Sequence, residues 1–181
     1  APCGVSLSGV GTISNDDCGG ALSLTVNSSE SCASITNADA TGATDSGVAS
    51  CIGAANDDVW FKFIATSTSH IVTVDGDSGY DAVLEVLSGA CDGTNIACKD
   101  DTFGGVVEET TLTGLTIGVT YLVRVHHYFT GTPTNETFTI CVTTPPPPMY
   151  YRTKTSGNWA DASTWESSTD NASWVDAIQA P

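Results

Sequence analysis

Residues 59–64, Val59-Trp60-Phe61-Lys62-Phe63-Ile64, alternate between the two faces of an extended chain, and such a run is typical of a β-strand. Further runs of this kind lie at 21–26, 70–74, 82–87, 109–115, 121–128 and 138–142. Gly, Asn, Asp and Ser clusters separate them, and no segment keeps a helical period over three turns. The sequence therefore predicts an all-β protein, an antiparallel β-sandwich of the jelly-roll type.

The alternation also predicts which side chains share a face. In the run 121–128, Tyr121, Val123 and Val125 fall on one face, while Leu122, Arg124 and His126 fall on the other. We expect Trp60, which is flanked by Phe61 and Phe63, to pack in the core.

Four consecutive prolines, residues 145–148, mark the clearest boundary in the chain. Proline cannot donate a ladder hydrogen bond, so the sheet must end before them. We therefore predict a sandwich domain at 1–144, a stiff linker at 145–148 and the start of a second module at 149–181. The first residues, Ala1-Pro2-Cys3, look like a mature terminus left by signal cleavage, although a cloned fragment would look the same.

Seven cysteines lie within the first 141 residues. Structural disulfides persist mainly in oxidising compartments, so this content predicts a secreted, disulfide-stapled domain. From their positions we predict three bridges: Cys91–Cys98, Cys32–Cys51 and Cys18–Cys141. Cys3 is then left over; it is free, or it takes Cys18 or Cys141 in an alternative pairing.

The charge balance excludes several classes of partner. The chain has 5 Lys and Arg against 21 Asp and Glu, a formal net charge of −16. Nucleic acids and anionic membrane surfaces need concentrated positive charge, so neither is an expected partner. No run approaches the roughly 20 apolar residues that a membrane helix needs, and we expect no membrane insertion. Divalent cations are the natural counter-charge.

Several motifs together resemble a known family. They are Asn15-Asp16-Asp17-Cys18, residues 57–63, Tyr80-Asp81-Ala82, Ala97-Cys98-Lys99-Asp100-Asp101, Leu112-Thr113-Gly114-Leu115 and residues 121–125. Over about residues 15–143 the chain resembles β-sandwich modules of large proteins that Bacteroidetes-type bacteria secrete by the type nine pathway. Those modules are similar to the bacterial pre-peptidase C-terminal domain and superficially to CUB domains. The resemblance implies adhesion, glycan or matrix attachment, or spacing, and supplies no catalytic residue.

The tail has a resemblance of its own. Residues 156–165, Ser-Gly-Asn-Trp-Ala-Asp-Ala-Ser-Thr-Trp, are similar to the opening of the repeat-type module that follows in such surface proteins. The resemblance implies a piece of a long, multi-module surface protein. We expect the three tail tryptophans, Trp159, Trp165 and Trp174, to dock that second module rather than to bind sugar.

Acidic residues cluster at turns and strand ends, and calcium is the ion that they suit. Ca²⁺ takes six to eight oxygen ligands in flexible geometry. We predict at least one calcium site and take its ligands from the acidic pairs that match the family-like motifs: Asp16, Asp17, Asp100 and Asp101, with Asp81 as a weaker candidate. The alternative is an acidic surface in which Asp simply favours turn geometry.

A catalytic site is not expected. His126 and His127 are neighbours on a strand and point to opposite sides, so they cannot easily share a metal; we expect one to pack and the other to be solvated. A Ser-His-Asp hydrolase would need a nucleophile, yet the sequence has no Gly-x-Ser-x-Gly elbow. We therefore predict that the chain is not an enzyme.

Aromatic residues near turns are the candidates for ligand contact: Tyr80, Tyr128 and Phe129. The predicted function is non-catalytic adhesion or recognition, glycan-binding and calcium-stabilised, in a secreted protein of the bacterial cell surface. The expected partner is an extracellular glycan, another surface ligand or a neighbouring module. Two alternatives remain: a structural spacer or stalk module, and an accessory domain of a secreted hydrolase.

Overall fold

The computed structural model describes residues 13–133, 135–147 and 149–181. The chain forms two compact units, one ending at Pro145 and the other spanning Pro146–Pro181. The strands of the first unit are β1 (Leu22–Ser23), β2 (Thr36–Asp39), β3 (Val59–Ile64), β4 (Ser69–Gly76), β5 (Ala82–Ser88), β6 (Thr94–Lys99), β7 (Val107–Thr113), β8 (Thr120–His127) and β9 (Thr137–Thr143). A single 3-10 turn, Cys18–Gly20, precedes β1 in the described part of this unit.

The strands of the first unit form two sheets. One has the order β1-β3-β8-β5-β6 and the other the order β2-β9-β4-β7. All their pairs are antiparallel except β1 with β3. The predicted all-β, disulfide-stapled antiparallel fold is confirmed.

The main core lies between the two sheets. Tyr121, Val123 and Val125 of β8 face it, as the alternation predicts, and Phe138 and Ile140 of β9 face it from the second sheet. The other face of the five-stranded sheet is covered as well, because Trp60 and Leu122 pack there against the turn at Cys18. Trp60 is therefore buried, as predicted.

Two strands, β2 and β6, lie outside the predicted runs. Their sequences, Thr-Asn-Ala-Asp and Thr-Asn-Ile-Ala-Cys-Lys, lack the apolar alternation of a half-buried strand. They form because β2 pairs with β9 and β6 pairs with β5, which satisfies their backbone hydrogen bonds. Conversely, the predicted run 21–26 gives only the two-residue strand β1 and an isolated bridge between Val26 and Val142.

The disulfides use the six predicted cysteines in a different connectivity: Cys18–Cys91, Cys32–Cys141 and Cys51–Cys98. The predicted pairings Cys91–Cys98, Cys32–Cys51 and Cys18–Cys141 are wrong. Cys98 lies in extended strand β6, which carries it away from Cys91 at about 3.3 Å per residue. Cys32 and Cys51 are separated because the chain between them pairs with β9 in the second sheet through β2. Cys3 lies outside the described residues.

The second unit is a small three-stranded antiparallel sheet. Its strands are β10 (Tyr150–Thr153), β11 (Trp165–Ser168) and β12 (Val175–Asp176), and β11 lies in the centre. A 3-10 turn, Ala162–Thr164, leads directly into β11. The buried ring of Trp165 belongs to this unit.

Candidate functional site

Four loops of the first unit meet at one end of the sandwich, which we call the loop end: residues 53–57, residues 77–81, residues 100–106, and a fourth loop described at 128–133 and 135–136. The Ala54 N–H donates to the Tyr128 carbonyl at 2.9 Å, and the Tyr128 N–H donates to the Asp81 carbonyl at 2.9 Å. Gly53 has φ +70°, and a Cβ there would lie 2.8 Å from the Tyr128 carbonyl oxygen, so only glycine fits this crossing. Backbone bonds therefore hold the loops in one arrangement.

The loop end brings together two of the predicted acidic residues. Burial and the neighbouring charges of Asp81 and Glu108 raise the pKa of Asp100. Burial also raises the pKa of Asp81, although the neighbouring His127 opposes this rise. Repulsion between carboxylates at such a position is relieved by a proton or by a bound cation.

The other acidic residues have different roles. Asp101 pairs with Lys99 at 2.6 Å, while the Glu108 carboxylate accepts the N–H groups of Asp101 at 3.0 Å and Thr102 at 2.7 Å. Asp16 accepts the Thr44 N–H at 2.6 Å.

The five predicted calcium ligands fall into two groups. Asp16 and Asp17 adjoin Cys18, which is bonded to Cys91 beyond the last residue of β5. Asp81 and Asp100 lie at the opposite end of β5, since Asp81 precedes this strand and Lys99 pairs with Leu84. Within residues 13–133, 135–147 and 149–181, no group of three or more His, Cys, Asp or Glu side chains is arranged to hold a metal ion. Calcium binding stays a prediction, with Asp81 and Asp100 as its nearest pair.

The aromatic candidates separate into one buried and two accessible residues. Tyr80 is fully buried, with its ring stacked on Phe138 at 5.5 Å and on His127 at 5.6 Å. The prediction that Tyr80 contacts a ligand is wrong, because the turn before β5 directs the ring into the core. Tyr128 is half-buried and Phe129 is 56% exposed, with their rings 5.0 Å apart.

Sequence analysis missed Phe103, which is 85% exposed at the loop end. The sequence did contain a pattern that indicates an exposed loop position for Phe103. This phenylalanine is followed by Gly104-Gly105, a turn signal, and it lies outside any strand pattern. Exposed aromatic rings on ordered loops are frequent binding contacts.

His126 and His127 are both buried, so the expectation that one of them is solvated is wrong. The reason is that β8 is covered on both faces. His127 Nδ1 accepts the Asp81 N–H at 3.0 Å, and the His127 N–H donates to Asp57 at 3.0 Å. These contacts fix the loop end.

A buried charge cluster lies on the face of the five-stranded sheet that points away from the main core. Its members are Asp58, Glu85, Arg124 and His126, and all four are essentially without solvent exposure. Arg124 Nε donates to Asp58 at 2.7 Å, and the guanidinium also donates to the carbonyls of Val48 at 2.8 Å and Ala49 at 3.2 Å. Glu85 accepts the Cys51 N–H at 2.9 Å. The cluster therefore anchors the covering segment 46–51 and is closed to a substrate.

Asp57 and Glu136, two further acidic residues of the loop end, are buried. Burial raises the pKa of both Asp57 and Glu136, and the Asp57 charge adds to the effect on Glu136. Among the described residues, the Tyr80 hydroxyl and Glu136 Oε2 are buried without a hydrogen-bond partner. Burial raises the pKa of Tyr80 well above its ordinary value, so this phenol is neutral. These groups make the folded state sensitive to protonation.

A polar groove of about 480 Å³ lies on the four-stranded sheet, where β2, β9 and the end of β4 meet. Its lining residues are Asn37, Ala38, Asp39, Asp75, Asp77, Thr137, Phe138 and Thr139. Register aligns Asn37, Thr139 and Asp75 across three neighbouring strands. Asp77 accepts from Asn135 Nδ2 at 3.1 Å and from the Thr137 hydroxyl, which joins the groove to the loop end. Sequence analysis missed the groove because its residues are distant in the chain.

The first unit is a two-sheet β-sandwich module. Residues 14–140 match the family model GBD_T9SS_assoc, described as "Galactose binding domain-like", and the chain belongs to this family. The predicted resemblance to modules of type IX secreted proteins is thereby confirmed. The family and the three disulfides fit a non-catalytic accessory module of an extracellular protein.

Other comparisons are more distant. No curated protein matches the chain significantly in sequence. A solved structure, the 1.0 Å crystal structure of the pre-peptidase C-terminal domain of a collagenase from Bacillus anthracis, aligns with a TM-score of 0.41 and 14% identity, over 66% of this chain and 95% of that one. In the part of the chain that the structure describes, no helix has the length and apolar character that a membrane crossing requires.

Proposed function

We propose that the sandwich is a non-catalytic recognition module that binds an extracellular glycan in the polar groove. The observation that carries the proposal is the groove itself, where an amide, three carboxylates and two threonine hydroxyls line one cavity. Its volume, about 480 Å³, falls within the usual range of small-ligand sites, about 300–1,000 Å³.

The donor and acceptor set suits sugar hydroxyls. A carboxylate such as Asp75 accepts two hydrogen bonds from neighbouring hydroxyls, and the Asn37 amide both donates and accepts. The net charge of −16 disfavours anionic ligands, so the ligand class is a neutral or amino sugar. The exposed rings of Phe129 and Phe103 at the loop end offer faces for the apolar side of a sugar.

The biological setting proposed for this activity is the bacterial cell surface. There the module attaches its parent protein to a glycan or to another surface ligand. Calcium at Asp81 and Asp100 would neutralise the loop end and keep its aromatic residues in place. If no glycan binds, the spacer alternative accounts for the fold without a ligand.

A glycan array followed by calorimetry on the full chain tests the proposal. We expect Asp75→Asn to weaken binding of the best glycan about tenfold, which corresponds to about 1.4 kcal/mol. Glu109→Gln is the matched control, because Glu109 is an exposed carboxylate on β7 of the same sheet. It should change the affinity less than twofold. Equal losses in both variants, or no glycan bound by the wild-type chain, would contradict the proposal.

A further inference from the structure

Trp159 in the second unit is 73% exposed, although the surrounding loop is well ordered by hydrogen bonds. A tryptophan ring carries the largest apolar surface of any side chain, and leaving it in water is unfavourable. The ring meets Trp165 edge-to-face at 4.8 Å, and Trp165 Nε1 donates to the Trp159 carbonyl at 3.1 Å. The hydrogen bond holds the Trp159 backbone, and the edge-to-face contact packs one part of the ring while the rest stays exposed.

The rest of the motif 156–165 builds the loop that presents this ring. Asn158 Oδ1 accepts the Ala160 N–H at 3.1 Å, and the Asn158 carbonyl accepts the Thr164 hydroxyl at 3.0 Å. Asp161 caps the 3-10 turn by accepting the Ser163 N–H at 3.0 Å and hydroxyl at 2.8 Å. These hydrogen bonds lower the pKa of Asp161, so the cap persists at neutral pH.

A cavity of about 520 Å³ lies beside the exposed ring, and its lining is rich in hydroxyl groups. The lining residues are Thr153, Lys154, Thr155, Ser156, Gly157, Trp159 and Thr164. A Cβ at Gly157 would lie 2.6 Å from Thr164 Oγ1, so a larger residue there would force the Thr164 side chain to shift. Lys154 pairs with Asp176, which neutralises the one basic group of the lining.

We propose that Trp159 and this cavity form a saccharide-binding subsite for a neutral oligosaccharide, which departs from the docking role expected of the tail tryptophans. The reason for the departure is that Trp165 is buried in the unit, whereas Trp159 is exposed. An aromatic face flanked by protein hydroxyl groups suits a pyranose. The apolar face of the sugar stacks on the aromatic ring, and the sugar hydroxyls form hydrogen bonds with the protein hydroxyls beside the ring. The loop is ordered before binding, so little conformational entropy is lost on association. This site lies in the second unit and does not depend on the groove of the sandwich.

Titration of the full chain with galactose-, glucose-, mannose- and N-acetylglucosamine-based oligosaccharides tests the proposal by tryptophan fluorescence. Trp60 and Trp165 are buried, so a ligand-induced blue shift reports chiefly on Trp159 and Trp174. We expect Trp159→Ala to remove the shift and weaken binding at least tenfold. Trp159→Tyr, which keeps a ring, should retain an intermediate affinity.

Ile178→Ala is the matched control, because Ile178 is an apolar side chain that is 96% exposed and does not line the cavity. It should leave binding unchanged, and circular dichroism should show the same fold for every variant. The proposal is overturned if no oligosaccharide of the panel binds, or if Trp159→Ala binds as wild type. Binding lost in Asp75→Asn but kept in Trp159→Ala would support the groove and reject this subsite.

Discussion

Replacing Arg124 with methionine should strongly destabilise the sandwich, because this residue is the only arginine or lysine in the buried charge cluster. Its side chain is fully buried, with Nε 2.7 Å from Asp58 and Nη1 3.7 Å from Glu85. Methionine fills much of the same volume but leaves both carboxylates without their cation. It also leaves the carbonyls of Val48 and Ala49 without a donor.

The expected size follows from these contacts. Breaking a buried ion pair by removing one partner costs about 3–5 kcal/mol. For a domain of this size, each 1 kcal/mol lowers the melting temperature by about 2–4 °C, so a fall of about 10 °C is expected. The Glu85 carboxylate contributes to this cost: burial opposes its ionised form, yet hydrogen bonds from His126 and Cys51 and the Arg124 charge outweigh burial and lower its pKa.

Differential scanning calorimetry and guanidinium titration measure the effect. Lys62→Met on the adjacent strand β3 is the control, because Lys62 is partly exposed and should cost under about 1 kcal/mol. The double variant Asp58→Asn/Arg124→Met should be no less stable than Arg124→Met alone, since it also removes one uncompensated charge. An Arg124→Met melting temperature within about 2 °C of wild type would refute the view that the cluster anchors segment 46–51.

Three further predictions concern pH, calcium and the disulfides. The carboxyls whose pKa is raised on folding are Asp57, Asp81, Asp100 and Glu136. Their contribution to stability is complete below their unfolded pKa of about 4 and is lost as the pH rises through the raised folded pKa. The melting temperature should therefore rise as the pH falls from 7 towards about 5, and less so in Glu136→Gln; a fall over that range would contradict the assignment. Below about pH 4 the trend reverses, as Glu85, whose pKa is lowered, becomes protonated. Millimolar calcium should raise the melting temperature over that in chelator at matched ionic strength, because a bound ion adds about 2.7 kcal/mol to the free energy of unfolding at a hundredfold excess over its dissociation constant. Asp100→Asn should reduce this gain. Equal melting temperatures with calcium and with chelator would exclude a site. Peptide mapping without reduction should find Cys18–Cys91, Cys32–Cys141 and Cys51–Cys98, and the double variant Cys32→Ser/Cys141→Ser should lose about 4–5 kcal/mol, because this bridge spans 109 residues. Mapped Cys91–Cys98 peptides would contradict the structure.

The alternation of strand residues was enough to predict the main core. Tyr121, Val123 and Val125 face inward because a strand alternates sides at every residue, whatever its neighbours are. The alternation could not show that the opposite face of β8 is buried as well. Arg124 and His126 look like solvent-facing residues in the sequence, yet both are buried, and Arg124 bonds to the carbonyls of Val48 and Ala49 in the covering segment 46–51.

The candidate sites were predicted in part. Sequence analysis selected Asp81, Asp100, Tyr128 and Phe129 because turn residues before and after strands are visible as local patterns, and the structure places all four at the loop end; their binding roles stay predictions. It misplaced Tyr80, because the direction of a turn depends on the sheet that it packs against. The groove of Asn37, Asp75 and Thr139 was invisible, because cross-strand register joins residues that are distant in the chain.

The sequence by itself determined the all-β class, the family, the acidic charge and the set of cysteines available for bridging. These are local or additive properties, which composition, alternation and motif spacing record directly. Tertiary structure alone decided the disulfide connectivity, the burial of the charge cluster and the assembly of the groove. Each of these depends on which strands become neighbours, and the many possible strand orders share the same local pattern.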